Sequence, residues 1–218
     1  KNKGQQDHYK KYAMQLFHAN QYKEAIKDFN KAIEIDPRNF ESWFLRGSSK
    51  YDLKQYEEAI KDFDKAIELY PYISFNPYIS LAWAIRGKSK FHLEQYEEAI
   101  KDLDKAIEYG HEDYSSWKIR GESKYHLKQY EEAIKDFDKA IEIDPLESDG
   151  WRLRGVSKGG LEQYEEAIKD LDKAIEIKPW GSKWWRIRGK YKFVLEQYEE
   201  AFKDFDKAID YGPKDYDS

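Results

Sequence analysis

The chain has 218 residues, of which 37% are charged and 17% aromatic, and its formal net charge is −5 at pH 7. It contains no cysteine, which excludes disulfides and thiolate chemistry; the acidic balance is no global footprint of a nucleic-acid binder; and no run of about 18 apolar residues exists to span a membrane. Disordered chains are poor in aromatics, so 7 Trp and 18 Tyr set among charges point to a thin, repetitive core under a wet surface.

The first residues, Lys-Asn-Lys-Gly-Gln-Gln, lack a Met, and the chain is read as a fragment of a longer protein. Its compartment is open, with the cytoplasm the expectation. Gln-Tyr-x-Glu-Ala then recurs from residues 21, 55, 95, 129, 163 and 197, at intervals of 34, 40, 34, 34 and 34. Trp-x-x-Arg-Gly keeps the same beat from Trp43, Trp83, Trp117, Trp151 and Trp185. Six copies follow, over 6–39, 40–73 with an insertion at 74–79, 80–113, 114–147, 148–181 and 182–215, and a truncated seventh begins at 216. Repeat positions below are counted from the first residue of each copy, and the whole is read as one array.

Each copy holds two helical patterns, helix A over about positions 2–14 and helix B over positions 17–31. In helix B of copy 2, Tyr56, Ala59, Ile60, Phe63, Ala66 and Ile67 form one apolar stripe at i, i+3, i+4, i+7 spacing. Glu57 and Glu58 suit the positive end of the helix dipole. Pro37, Pro71, Pro145, Pro179 and Pro213 are expected to end helix B. The insertion, where Pro-Tyr-Ile-Ser occurs twice, is expected to lengthen a loop between helix B and the next helix A.

A 34-residue unit with Trp at position 4, Gly at 8, Ala at 20, Phe or Leu at 24, Ala at 27 and Pro at 32 resembles the tetratricopeptide repeat. The small residues let the paired helices approach. Copy 1 departs with Ala13 and Tyr9, copy 3 with Gly110-His111 in place of proline, and no copy has a glycine at the A–B turn. The resemblance implies an all-α, right-handed superhelical solenoid with a concave face lined by A helices. It implies ligand contacts at positions 2, 5, 9, 12 and 13. Here these include Phe44 and Tyr51 in copy 2, Lys88, Phe91 and His92 in copy 3, and Lys118, Tyr125 and His126 in copy 4. They continue with Arg152 in copy 5 and Lys183, Arg186, Lys190 and Phe193 in copy 6.

Position 12 makes an aromatic ladder, Phe17, Tyr51, Phe91, Tyr125 and Phe193, which either contacts an extended ligand or packs on adjacent A helices. It is interrupted by Gly159 and Gly160. Those two glycines open a notch between Tyr125 and Phe193, end helix A early with Gly160 left-handed, or mark a surface under no demand; Gly159→Tyr is expected to stabilise the array, and intact partner binding in that variant would mean the notch is unused. His18, His92 and His126 at position 13 are too far apart along a repeat ladder to share a metal ion, so no metal or cofactor is expected.

Arg at position 7 and Lys at 11, from Arg46/Lys50 to Arg188/Lys192, look like a phosphate-binding stripe. The favoured reading is a structural ladder with helix B aspartates, in which Arg46 lies within about 4 Å of Asp62 or Asp64. Copy 1 replaces these cations with Tyr12 and Leu16 and has Asn30 at position 25, which suggests that position 25 pairs with the cations of its own copy. With that ladder set aside, the surface grows more basic toward the C-terminus, which suits an acidic peptide.

The family's clamp for chaperone C-terminal carboxylates is absent, since Met14, Leu45 and Leu81 stand where it needs polar or basic groups. No nucleophile–base pair or phosphate loop is present. The expected function is a non-enzymatic protein-interaction scaffold. The alternatives are single-stranded nucleic-acid binding through the aromatic and basic ladder, and self-assembly through uncapped ends.

Overall fold

The structure is a computed structural model and describes residues 2–70 and 77–212. Pro71, Pro213, the first Pro-Tyr-Ile-Ser, residues 74–76 of the insertion and the start of a seventh copy lie outside the described residues. Among the described residues there are twelve helices and no strand. They fall in two compact units, Lys1–Glu112 and Asp113–Ser218.

Unit 1 contains α1 (Asn2–His18), α2 (Tyr22–Ile35), α3 (Phe40–Asp52), α4 (Tyr56–Leu69), α5 (Pro77–His92) and α6 (Tyr96–Glu108). Unit 2 contains α7 (Tyr114–His126), α8 (Tyr130–Ile143), α9 (Ser148–Gly160), α10 (Tyr164–Ile177), α11 (Ser182–Val194) and α12 (Tyr198–Tyr211). Odd helices are the A helices and even ones the B helices. Helix A therefore runs from position 1 to 13 in copies 2, 4, 5 and 6, one residue earlier than the sequence suggests. Residues 77–79 of the insertion form the first turn of α5, with Ile79 buried, so this part of the insertion lengthens a helix rather than a loop.

The pairs close because small residues stand where backbones meet. A Cβ on Gly121 would lie 2.7 Å from the Phe137 ring. Ala133 and Ala140 on α8 have no exposed surface. Packed interiors have no room for another methyl group. In unit 1, α2 packs on α3 and α4 on α5; in unit 2, α8 packs on α9 and α10 on α11. The A helices of neighbouring copies also meet, α1 with α3 and α3 with α5, α7 with α9 and α9 with α11.

Candidate interaction surface

The conspicuous cations are not available for a ligand. Arg46 donates from Nε and Nη2 to both oxygens of Asp62, at 2.9 and 2.6 Å. Lys50 reaches the same carboxylate at 2.7 Å. Arg86 with Lys90 on Asp102, Arg120 with Lys124 on Asp136, Arg154 with Lys158 on Asp170, and Arg188 with Lys192 on Asp204 repeat the arrangement. Each of these guanidinium groups also lies over the position-4 indole of its own helix, at 4.4 to 4.8 Å from the ring centroid. The expected structural ladder is there.

One detail of that expectation is wrong. Position 25 serves the arginine of the following copy, not its own. Within unit 1, Arg46 Nη1 donates to Asn30 at 2.6 Å and Arg86 Nη1 to Asp64 at 2.5 Å. Within unit 2, Arg154 donates to Asp138 and Arg188 to Asp172, both at 2.6 Å. The coincidence of Asn30 with the missing cations of copy 1 misled the pairing.

The position-12 rings are also largely engaged. Each meets the tyrosine that opens helix B of its own copy: Phe17–Tyr22, Tyr51–Tyr56, Phe91–Tyr96, Tyr125–Tyr130 and Phe193–Tyr198, with centroids 5.1 to 5.8 Å apart. Burial pushes the Tyr51 and Tyr125 hydroxyls above the ordinary phenol range. At position 13, His92 packs its ring onto the preceding copy. His92 stacks on Tyr56 at 4.5 Å, and burial with the nearby Lys54 charge lowers its pKa. His126 is exposed beside the Tyr125 ring. No group of three His, Asp or Glu able to hold a metal occurs among the described residues.

Phe44 is not a ligand contact. It is 4% exposed and packs among Phe40, Phe63 and Tyr78 in the core of unit 1. Lys88 is half-buried on α5.

The glycine pair is occupied rather than open. A Cβ on Gly159 would fall on the phenol of Tyr191, and one on Gly160 would lie 2.8 Å from the Tyr130 ring. Tyr164, deprived of a position-12 partner in its own copy, meets Tyr191 instead at 5.4 Å. Burial, with Tyr125, Tyr164 and Tyr130 close by, pushes the Tyr191 hydroxyl up to about 12. The notch is filled from copy 6. The early helix end is also overturned, because α9 runs through Gly160 and the left-handed residue is Glu162, φ 61°. The sequence carried a signal for Tyr191: position 10 is Ser in copies 2 to 5 and Tyr in copy 6.

What remains is the A-helix surface of unit 2. On α7, Lys118 lies over the Tyr114 ring at 5.9 Å, one turn before Glu122. Burial raises the Glu122 pKa, opposed by Lys118 and Arg152 and reinforced by Asp149. On α9, Arg152 donates to Asp149 at 3.0 Å. On α11, Lys183, Arg186 and Lys190 are exposed at i, i+3, i+7 spacing, and Phe193 is 49% exposed in the last turn. These three cations have no ion-pair partner among the described residues. Lys118 and Arg152 thus both act on Glu122, Arg152 also acts on Tyr125, and Arg152 lies over the Trp184 ring of α11 at 5.9 Å.

Family profiles described as tetratricopeptide repeat match residues 40–72, 114–145, 81–109 and 151–179, and one described as TPR repeat matches 15–53. The chain belongs to the tetratricopeptide repeat family. Its all-α helical-repeat fold is shared by solved structures of low identity. MamA is 20% identical, with TM-score 0.71, covering 79% of this chain and 97% of that one. YrrB, described as a TPR protein with an unusual peptide-binding site, is 23% identical with TM-score 0.72, covering 85% and 92%. The C-terminal part of a TPR repeat-containing protein from Cytophaga hutchinsonii is 21% identical with TM-score 0.76, covering 92% and 78%. No curated protein matches by sequence. Such repeats are typically non-catalytic scaffolds for protein–protein interaction.

Proposed function

We propose that this scaffold binds an acidic peptide segment along α7, α9 and α11 of unit 2. The carrying observation is the difference between two sets of cations. The position-7 and position-11 cations are spent on buried aspartates, whereas Lys183, Arg186 and Lys190 stand in solvent beside Phe193. Across ligand positions 2, 5 and 9 of unit 2, the cations Lys118, Arg152, Lys183, Arg186 and Lys190 face only Glu122 and Asp149. A polar rim of one charge sign steers an oppositely charged partner, and a few aromatic anchors carry most of the affinity. The edge-on engagement of the position-12 rings weighs against base stacking, which needs an accessible ring face.

The test is fluorescence anisotropy at low salt, with a labelled twelve-residue peptide of alternating Glu and Phe as probe. The double substitution Arg186→Glu, Lys190→Glu should weaken binding at least about tenfold, as should Tyr125→Ala with Lys118→Ala. The first pair should leave the melting temperature nearly unchanged. Unaltered affinity in both variants rejects the site. Stronger binding of a single-stranded RNA of equal length would favour nucleic acid instead.

A further inference from the structure

We propose that the outer face of α12 is a docking site for a cationic amphipathic helix of a partner protein, seated as helix A of the next copy is seated on the other B helices. This inference does not rest on the concave-face reading of unit 2. At position 28, Ile33, Ile141 and Ile175 are 7 to 8% exposed under the A helix that follows, whereas Ile209 is 72% exposed. Phe202 at position 21 is exposed as well. Phe205 at position 24 is partly open, where Phe29, Phe63 and Phe137 are fully buried. Large apolar side chains gathered on one exposed face mark an interaction site.

The chain itself shows what covers such a face. A Cβ on Gly150, at position 3 of α9, would lie 3.1 Å from Ile141 of α8. Leu153, at position 6 of α9, clusters with Ala133 and Phe137 of α8. Arg154, at position 7, donates to Asp138 at 2.6 Å. The next pair repeats the scheme: Trp184 of α11 clusters with Ala174 and Ile175 of α10, and Arg188 donates to Asp172 at 2.6 Å. On α12 the same acceptor is Asp206, which is exposed and has no ion-pair partner among the described residues. The helix that fits therefore has an aliphatic residue at position 6 with arginine directly after it.

A second copy of this chain fits poorly in either orientation. Stacked head to tail, α1 would bring His8, Lys11 and Gln15 to positions 3, 6 and 10, and all three are exposed in the free chain. Lys11 would then be pressed against Phe205, and burying an unpaired charge among apolar groups is costly. Packed α12 on α12, two copies would oppose like charges. Glu199, Lys203, Asp206 and Asp210 line one stripe beside the apolar face, at i, i+4, i+7 and i+11, three acids to one lysine. Opposed like charges suppress that association, while the same stripe steers a cationic partner to the face. Phe202 and Ile209 supply the apolar anchors.

The experiment titrates the whole chain into a labelled peptide with the sequence of α7, Tyr114–His126, followed by fluorescence anisotropy. The peptide is capped at both ends and held helical by a lactam staple, because so short a helix is marginal in water. Ile119 and Arg120 stand at its positions 6 and 7, and its lysines and arginine outnumber its acids. Anisotropy should rise saturably. Ile209→Asp should weaken binding at least about tenfold, with an unchanged circular dichroism spectrum because Ile209 is exposed. Asp206→Arg should weaken it at least about threefold, and a peptide with Asp in place of Arg120 should recover that loss on the Asp206→Arg protein. Lys118→Ala with Tyr125→Ala should leave the affinity in place. No saturable binding, unchanged affinity for Ile209→Asp, or no recovery by the charge exchange overturns the proposal. So does dimerisation of the free chain, seen by sedimentation, that Ile209→Asp abolishes, because the face then belongs to a second copy.

Discussion

At Gly159 a missing side chain and an added one, 32 residues apart, share one space. Tyr191 replaces the serine of other copies and lies where a Cβ of residue 159 would be. Its ring restores the contact that Tyr164 would otherwise lack. Contrary to the expectation from the repeat pattern that it stabilises the array, Gly159→Tyr alone should therefore destabilise, by about 1–3 kcal/mol of overpacking against Tyr191. Tyr191→Ser alone should also destabilise, by about 2–3 kcal/mol, because it empties the space. The double substitution recreates the arrangement of copies 2 and 4 and should fall within about 1 kcal/mol of the natural protein. Denaturant titrations of the four proteins give the cycle; simple additivity would show that the rings do not compete. Glu122 offers a pH test at the same scale. Its folded pKa is raised above the ordinary 4.5, mainly by burial. A carboxyl with a raised folded pKa contributes stability that is fully present below its unfolded pKa and lost as pH rises through the folded one. Glu122→Gln should thus raise the melting temperature at pH 7 and give no gain near pH 3. Equal gain at both values would remove ionisation as the cause.

At the scale of the helices, most boundaries were legible in the sequence because each has a local chemical cause. Pro37, Pro145 and Pro179 cannot continue helix B, and α2, α8 and α10 stop two residues before them. The place of the A–B turn was legible between the two helical patterns, but its left-handed conformation was not, since no glycine marks it. Its left-handed residue is Asn20, Lys54, Glu94, Lys128, Glu162 or Glu196, with φ between 58° and 61°. A left-handed conformation costs an L-residue about 1–2 kcal/mol. Tertiary packing of the two helices holds these residues there in spite of that cost. Glycine would remove the steric term at the expense of a more flexible unfolded chain, which returns about 0.4–1 kcal/mol. Lys128→Gly should therefore stabilise by roughly 0.5–1 kcal/mol, read as an upward shift of the denaturant midpoint at constant slope. A lower midpoint would mean that the lysine side chain contributes more than its backbone costs.

Across the whole chain, the repeat period showed which residues recur, but it could not show which copy supplies a partner. Periodicity placed Arg at position 7 and Asp at positions 23 and 25 on facing helices, and both acids are in reach of some arginine. Only the packing reveals that position 23 closes a copy on itself while position 25 ties it to the next. The same blindness hid the Tyr191–Gly159 exchange. The two acids should differ sharply in energetic weight. Asp170 is 5% exposed and holds both Arg154 and Lys158, so Asp170→Ala leaves two half-buried cations without their shared partner. Removing one side of a buried pair costs about 3–5 kcal/mol. Asp138 is 46% exposed and receives one N–H of the same arginine. An exposed pair contributes about 0–1 kcal/mol, and Asn30 already shows that a neutral oxygen can accept this bond at 2.6 Å. Asp138→Asn should then be nearly silent in a denaturant melt, whereas Asp170→Asn should not, because a neutral amide cannot balance two cations. Comparable losses from the two substitutions would place the inter-copy tie, rather than the closure of each copy, at the centre of the stability of the array.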